Sequence, residues 1–176
     1  TVSFTHPHSP FVISDEFWDL YKHEEIPLPK VPPIAIENMD HLSRNLHYCQ
    51  GRHEFTVTDE HRKNAKHAYY GMISYIDSKI SALRTALNKS GMAEDTIIIF
   101  AADHGEMMGE RGMWYKQHFF EWAANVPLIF HAPSRWSPSR ISQNCSLVDI
   151  MPTILDLANN KPFTDYADPI DGASLV

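Results

Sequence analysis

At 176 residues the chain is long enough for one domain with a real core and too short for most two-domain enzymes. Hydrophobic residues make up 43% and charged residues 21%, the proportions of an ordinary globular protein, and no apolar run approaches the length of a membrane span. The formal net charge of −7, with no Lys/Arg cluster to offset it, argues against nucleic acid as a partner. Cys49 and Cys145 stand far apart and in no metal or redox spacing, so reduced thiols are the default. Both ends read as cut: Thr1-Val-Ser-Phe-Thr5 begins within a strand-like run, and Asp171 to Val176 stops inside what reads as the next loop and strand. The expectation is one partial domain over residues 1–176, truncated at both ends, and the missing leader says nothing about compartment.

In chain order, Thr1 to Thr5 reads as the end of a buried strand, and His6-Pro-His-Ser-Pro10 as an extended loop, because each proline fixes its own φ and biases its predecessor away from helix. Asp15 to Tyr21 is a short amphipathic helix with Ser14 as N-cap and Phe17, Trp18 and Tyr21 turned inward. Ile26-Pro-Leu-Pro-Lys-Val-Pro-Pro33 is a stiff polyproline-like connector, and a short helix is expected within Ile36 to Gly51. One long helix is predicted from Thr58 to Ser90, capped by Thr58 and closed by Gly91. Its stripe of Tyr69, Ile73, Ile76, Ile80, Leu83 and Leu87 is expected to face a sheet. His61, Lys66 and His67 near its start are taken as solvated or packing residues.

Thr96 to Phe100 is an apolar, β-branched run suited to a strand buried on both faces of a parallel sheet. It runs directly into Asp103-His104-Gly105. In open α/β sheets, ligand and metal sites form beyond the carboxyl ends of strands, so a carboxylate and an imidazole stand where such a sheet keeps its chemistry, and glycine lets the chain turn away. Lys116 follows at the end of an aromatic, glycine-punctuated loop. Asp-His-Gly alone also fits a helix N-cap and a turn. With an ammonium on the same loop, the set suits metal-assisted reaction on an anionic ester. Gln117 to Ala124 is read as a short helix, Asn125 to Phe130 as the next strand, Ser139 to Leu147 as an edge strand, and Asp149 to Asn159 as a helix with Pro152 in its first turn. The succession predicts an α/β fold with a mostly parallel sheet and flanking helices.

The string D-H-G-x-M-x-G-E-x-G-x-W-Y-K from Asp103 to Lys116 resembles the metal- and sulfate-binding segment of the type I sulfatases, in the alkaline phosphatase superfamily, and is most like the choline-sulfatases. The opening S-F-T-H-P-H-x-P, the A-Y-Y-G-M-I-S-Y-I-D segment around Tyr70 and Asp77, V-P-L-I-F-H-A-P, and S-L-V-D-I-M-P-T-I-L-D-L-A resemble the same family. The likeness is weakest over Ile34 to Phe55. It implies part of an alkaline-phosphatase-like domain that hydrolyses sulfuric esters, choline sulfate first. Asp103 and His104 would be metal ligands. Lys116 would contact the sulfate and the leaving-group oxygen, and His8 would contact the sulfate or donate the proton, with His6 along the same pocket. The resemblance further implies a divalent cation, calcium before magnesium or manganese, and a formylglycine nucleophile from a C/S-x-P-x-R motif. Neither Cys49 nor Cys145 sits in that motif, so the nucleophile is expected upstream, and residues 1–176 alone are expected neither to turn over sulfate esters nor to hold metal tightly. The expected partner is a small sulfate ester. The resemblance also admits a homo-oligomer, and favours the cytoplasm over the periplasm.

Two other readings compete. One is a phosphonate monoester or phosphodiester hydrolase of the same superfamily, where Asp-His-Gly also occurs. The other is a non-catalytic remnant of the fold, against which the retention of Asp103, His104, Lys116 and His8 together counts. Trp114 and Tyr115 lie near enough to suggest a cation–π pocket for a quaternary ammonium, although packing is the commoner role for such residues.

Overall fold

A computed structural model describes residues 1–159 and 170–176. The chain divides into two compact units, Thr1–Ser134 and Arg135–Val176.

The first unit is built on one long helix. Short helices α1 (Asp15–Trp18) and α2 (His41–Cys49) precede α3 (Asp59–Ser90), and the strand β1 (Ile98–Ala101), the turn of helix α4 (Glu121–Ala124) and the strand β2 (Leu128–His131) follow it. The ends of α3 are those the sequence predicts. Thr58 Oγ1 accepts the His61 N–H, His61 Nδ1 accepts the Thr58 N–H in return, and Gly91 closes the helix at φ 73° by donating to the Leu87 and Asn88 carbonyls. Each contact satisfies a backbone group that the helix end would otherwise leave without a partner.

The face that α3 buries is not the predicted stripe. His67, Ala68, Gly71 and Met72 are buried, whereas Ile73 and Leu83 remain 46% and 39% exposed. What covers α3 is aromatic. Trp18 stacks on His67 with ring centroids 3.6 Å apart, Phe17 meets Tyr75 edge-on, and the Tyr21 hydroxyl bonds the Ser74 hydroxyl at 2.7 Å. His67 is therefore a packing residue, with its Nε2 on the Trp18 carbonyl at 2.9 Å. Helix α1 stops at Trp18, short of the predicted Tyr21, and Ser14 caps it without a side-chain bond.

The strands correct the expected topology. β1 and β2 pair antiparallel, with Ile98 opposite His131 and Ala101 opposite Leu128. A parallel pair needs a crossover, usually a helix of a dozen or more residues with its connections. The segment between these strands contains no helix longer than the 3-10 turn Glu110–Gly112 and the four-residue α4, and the chain doubles back instead. The α/β class stands, with the sheet among the described residues being this two-stranded pair. β1 is also only half-buried, not enclosed on both faces. Thr1 to Thr5 is exposed and forms no strand, with no ladder partner beside it among the described residues.

The core sits under the loop that leaves β1. Met107 and Met113 are fully buried and cluster with Met39 and Ala123, flanked by Ile34, Phe120 and Trp122. Unbranched thioethers fill the irregular space that a looping backbone leaves. In the second unit, Ser146 and Asp149 form a reciprocal cap that leads into α5 (Ile150–Asn159). Residues 139–147 form no strand there, and Ile141 is 76% exposed.

Candidate active site

β1 ends at Ala101, and the chain passes through Asp103 and His104 into Gly105. Gly105 donates its N–H to the Ala123 carbonyl at 2.8 Å, and Glu106 donates to that of Trp122 at 2.9 Å. A Cβ on Gly105 would stand 2.0 Å from the Trp122 carbonyl oxygen. Close backbone approach, rather than an unusual φ, is what requires glycine here.

The loop then turns repeatedly in the left-handed region. Met108, Arg111, Tyr115 and Gln117 all have positive φ although none is glycine. Each such residue costs about 1–2 kcal/mol and persists only where its surroundings dictate it. Lys116 lies between two of them. Several bonds fix this shape: Met107 donates to the Tyr115 carbonyl at 2.9 Å, Gly109 to that of Met113 at 2.9 Å, and Glu106 Oε1 accepts the Tyr115 N–H at 2.5 Å. The buried Glu110 carboxylate accepts the Lys30 and Val31 N–H groups at 3.0 and 2.9 Å. It thereby ties the proline-rich connector to the loop.

Three of the four residues singled out in the sequence meet directly, and the fourth adjoins them. Lys116 Nζ donates to His8 Nε2 at 2.5 Å across 108 positions of sequence. The His8 and His104 rings stand edge to face, with centroids 6.5 Å apart. Asp103 Oδ2 lies 3.6 Å from His104 Nε2, and its side chain is 88% exposed. His6, by contrast, packs on Tyr75 of α3 at 5.1 Å, and Trp114 on Phe11 at 6.4 Å.

Hydrogen bonding assigns the tautomers. His8 Nδ1 donates to the Ser9 carbonyl at 2.6 Å and His104 Nδ1 to that of Gly105 at 2.8 Å, which leaves each Nε2 with a lone pair directed into the site. That of His8 receives the Lys116 ammonium. That of His104 faces the Asp103 carboxylate, an arrangement of two electron-rich atoms that calls for a proton or a cation between them. Two ligands at right angles on a cation about 2.4 Å away stand about 3.4 Å apart, close to the observed separation. The pair therefore fits a divalent cation as two of its ligands. Among the described residues no group of three or more His, Cys, Asp or Glu side chains is placed to hold a metal.

Glu106 is the member that the sequence reading missed. Burial pushes its carboxyl above the ordinary glutamate range, against the pull of the Met108 and Tyr115 N–H groups, Lys116 and His104. Its place directly after Asp-His-Gly was the available signal. Arg52 was missed as well. It reaches the Trp114 carbonyl of the same loop across 62 positions of sequence, and burial lowers its pKa despite the proximity of Tyr115 and Glu106.

A strand exit thus carries a carboxylate–imidazole pair, Asp103 with His104, beside an ammonium–imidazole pair, Lys116 with His8, in an α/β protein. Residues 1–160 match the family model described as Sulfatase, and the chain belongs to the sulfatase family. It is 40% identical over 181 residues to a choline-sulfatase of Rhizobium meliloti (strain 1021), covering 100% of this chain and 34% of that protein. An arylsulfatase of Clostridium perfringens (strain 13 / Type A) is 32% identical over 179 residues, 99% of this chain and 36% of the relative. Among solved structures, a phosphonate monoester hydrolase from Silicibacter pomeroyi superimposes with a TM-score of 0.81 at 28% identity, over 96% of this chain and 34% of that one. The chain thus spans about a third of the length of these relatives. No helix among the described residues is long and apolar enough to cross a membrane.

Proposed function

We propose that the complete protein carrying this chain is a sulfuric ester hydrolase acting on choline sulfate or a close analogue, and that this chain supplies part of the site that holds the sulfate and the metal. The observation that carries the reading is the Lys116–His8 contact beside the Asp103–His104 pair. An ammonium and an imidazole at one point suit a tetrahedral oxyanion such as a sulfate monoester, with charge-assisted hydrogen bonds to its oxygens. The 40% identity to a choline-sulfatase over the whole chain supports the choice of ester, and a cytoplasmic location rests on that likeness alone.

Asp103 and His104 would hold a divalent cation, calcium first, with further ligands from outside residues 1–176. When bound, the cation draws charge from the sulfate oxygens. Lys116, displaced from His8 by the arriving anion, binds a sulfate oxygen and stabilises negative charge as it grows on the bridging oxygen. His8 Nε2, freed in the same step, is placed to take a proton from solvent and deliver it to the departing bridging oxygen, which leaves as the alcohol. The chain contains no C/S-x-P-x-R motif, so the formylglycine nucleophile of the family reading belongs to the rest of the protein.

The phosphonate monoester hydrolase likeness supports a second reading, phosphonate or phosphodiester hydrolysis at the same residues. Turnover of matched sulfate, phosphate and phosphonate monoesters by the complete protein separates the two. The sulfate ester is expected to give a kcat/KM at least about 100-fold higher, a difference of about 2.7 kcal/mol at the transition state. Faster turnover of the phosphonate overturns the sulfatase reading.

A further inference from the structure

Lys116 is flanked by two residues in a conformation that neither side chain favours, Tyr115 at φ 64° and Gln117 at φ 76°. Something outside the loop must hold them so. The contacts converge on one short segment, the end of α2 and the turn of 3-10 helix Arg52–Glu54. Arg52 Nη2 donates to the Trp114 carbonyl at 3.1 Å and approaches His118 Nε2 at 3.3 Å, while Nη1 meets the Met113 sulfur at 2.9 Å. The guanidinium also binds Gln50 Oε1, with Nε at 2.9 Å. Gln50 then uses its Nε2 to donate to Gln117 Oε1 at 3.0 Å. One fork and one amide thus grip the loop two residues before Lys116 and one and two residues after it.

The chemistry of these partners fits a clamp better than an ion pair. Arg52 spends its donors on a carbonyl, an amide, a sulfur and an imidazole. A guanidinium only donates, so His118 Nε2 is the acceptor of that contact, and burial and Arg52 itself lower the pKa of the ring. The planar, five-donor guanidinium can meet several such acceptors at fixed angles, which a lysine cannot do.

We propose that Arg52, acting with Gln50, is a positioning residue for Lys116: it holds the Tyr115–Gln117 turn so that the Lys116 ammonium projects toward His8. This rests on the reading of Lys116 as a group that contacts the ester. The clamp comes from the stretch in which the family resemblance is weakest, so the motif that contains Lys116 does not announce it.

The test is a double-mutant cycle in the complete protein, with an aryl sulfate as probe. Arg52→Met removes the fork while keeping much of the bulk. It is expected to lower kcat at least about tenfold, and to change it less than about threefold in a Lys116→Ala background, because the two residues act as a unit. Arg52→Lys, which can reach one acceptor only, should fall between parent and Arg52→Met. Gln50→Met, which loosens only the Gln117 side, should cost less. A crystal structure of Arg52→Lys or Gln50→Met should show Tyr115 or Gln117 relaxing toward negative φ. Equal loss of kcat from Arg52→Met in both backgrounds overturns the proposal, since a general loss of stability acts regardless of Lys116. Should Arg52→Met not fold, unchanged kcat in both Arg52→Lys and Gln50→Met overturns it as well. If Lys116→Ala alone leaves turnover intact, the reading of Lys116 fails first, and the positioning role falls with it.

Discussion

Glu106 Oε1 accepts the backbone N–H of Tyr115 at 2.5 Å. A carboxylate two residues beyond His104 therefore closes the loop immediately before Lys116, and the two halves of the site share one brace. The same oxygen accepts the Met108 N–H at 3.2 Å. Carboxylate–amide bonds of this kind are stronger than neutral ones, yet the group lies in surroundings that disfavour its charge.

That conflict sets a pH dependence. Burial raises the folded-state pKa of Glu106 above the ordinary glutamate value. A carboxyl so raised contributes stability that is fully present below its unfolded pKa and is lost as pH rises through the folded pKa. Replacing it by Gln removes the titration and keeps a carbonyl oxygen for the Tyr115 and Met108 amides. The thermal midpoint of Glu106→Gln relative to the parent should therefore rise as pH increases from about 4.5 through the folded pKa, and level off above it. A difference that falls with pH over that window would mean that Lys116 and His104 hold the carboxylate ionised, contrary to the stated direction.

Gly105→Ala places a methyl 2.0 Å from the Trp122 carbonyl oxygen, which is backbone and cannot swing aside. Relief requires breaking the Gly105–Ala123 and Glu106–Trp122 bonds, each worth about 1 kcal/mol with more for any amide left buried and unpaired. A loss of at least about 3 kcal/mol is expected, read as a lowered denaturation midpoint. Asp103 and His104 would be displaced with the strand exit, so turnover should fall in the fraction that remains folded. An unchanged midpoint would refute the close approach.

How much of this was legible depends on whether the cause was local. α3 was legible because its caps, Thr58 with His61 and Gly91, lie within a few residues of the ends they close. The clustering of His8, His104 and Lys116 followed from the family likeness of two motifs, not from spacing. The strand pairing was not legible, since periodicity marks a strand without saying which way its neighbour runs. Helix α4 starts at Glu121 rather than Gln117 because Gln117 is held at φ 76° by contacts made elsewhere. Glu106 and Arg52 escaped notice because their partners are groups that the fold alone brings to them, and Glu110, although part of the Asp103–Lys116 motif, has its partners in the connector some 80 positions away.

Glu110 shows what such a group is worth. It is 1% exposed, and its two oxygens take the Lys30 and Val31 amides of the proline-rich connector. Glu110→Ala leaves both donors without their acceptor and opens a cavity, at a cost of about 2–4 kcal/mol. Glu110→Gln can still accept one bond and should lose less. Hydrogen exchange at Lys30 and Val31 is the direct measurement: both amides should lose protection in Glu110→Ala, and retained protection would show that the connector is held by other contacts.

Metal dependence gives the sharpest test of the Asp103–His104 pair. Because His104 Nδ1 donates to the Gly105 carbonyl, Nε2 is the ring nitrogen open to a cation. Asp103→Asn keeps an oxygen donor but removes a charge, and His104→Ala removes a ligand outright. Both should weaken metal retention by the complete protein by at least about tenfold, the scale on which even outer partners of a metal ligand act. Metal content measured after dialysis against a graded chelator series reads this without recourse to turnover. Parent-like retention in both variants would remove these residues from the metal shell, leaving Asp103 as an exposed loop carboxylate and His104 as a neighbour of His8.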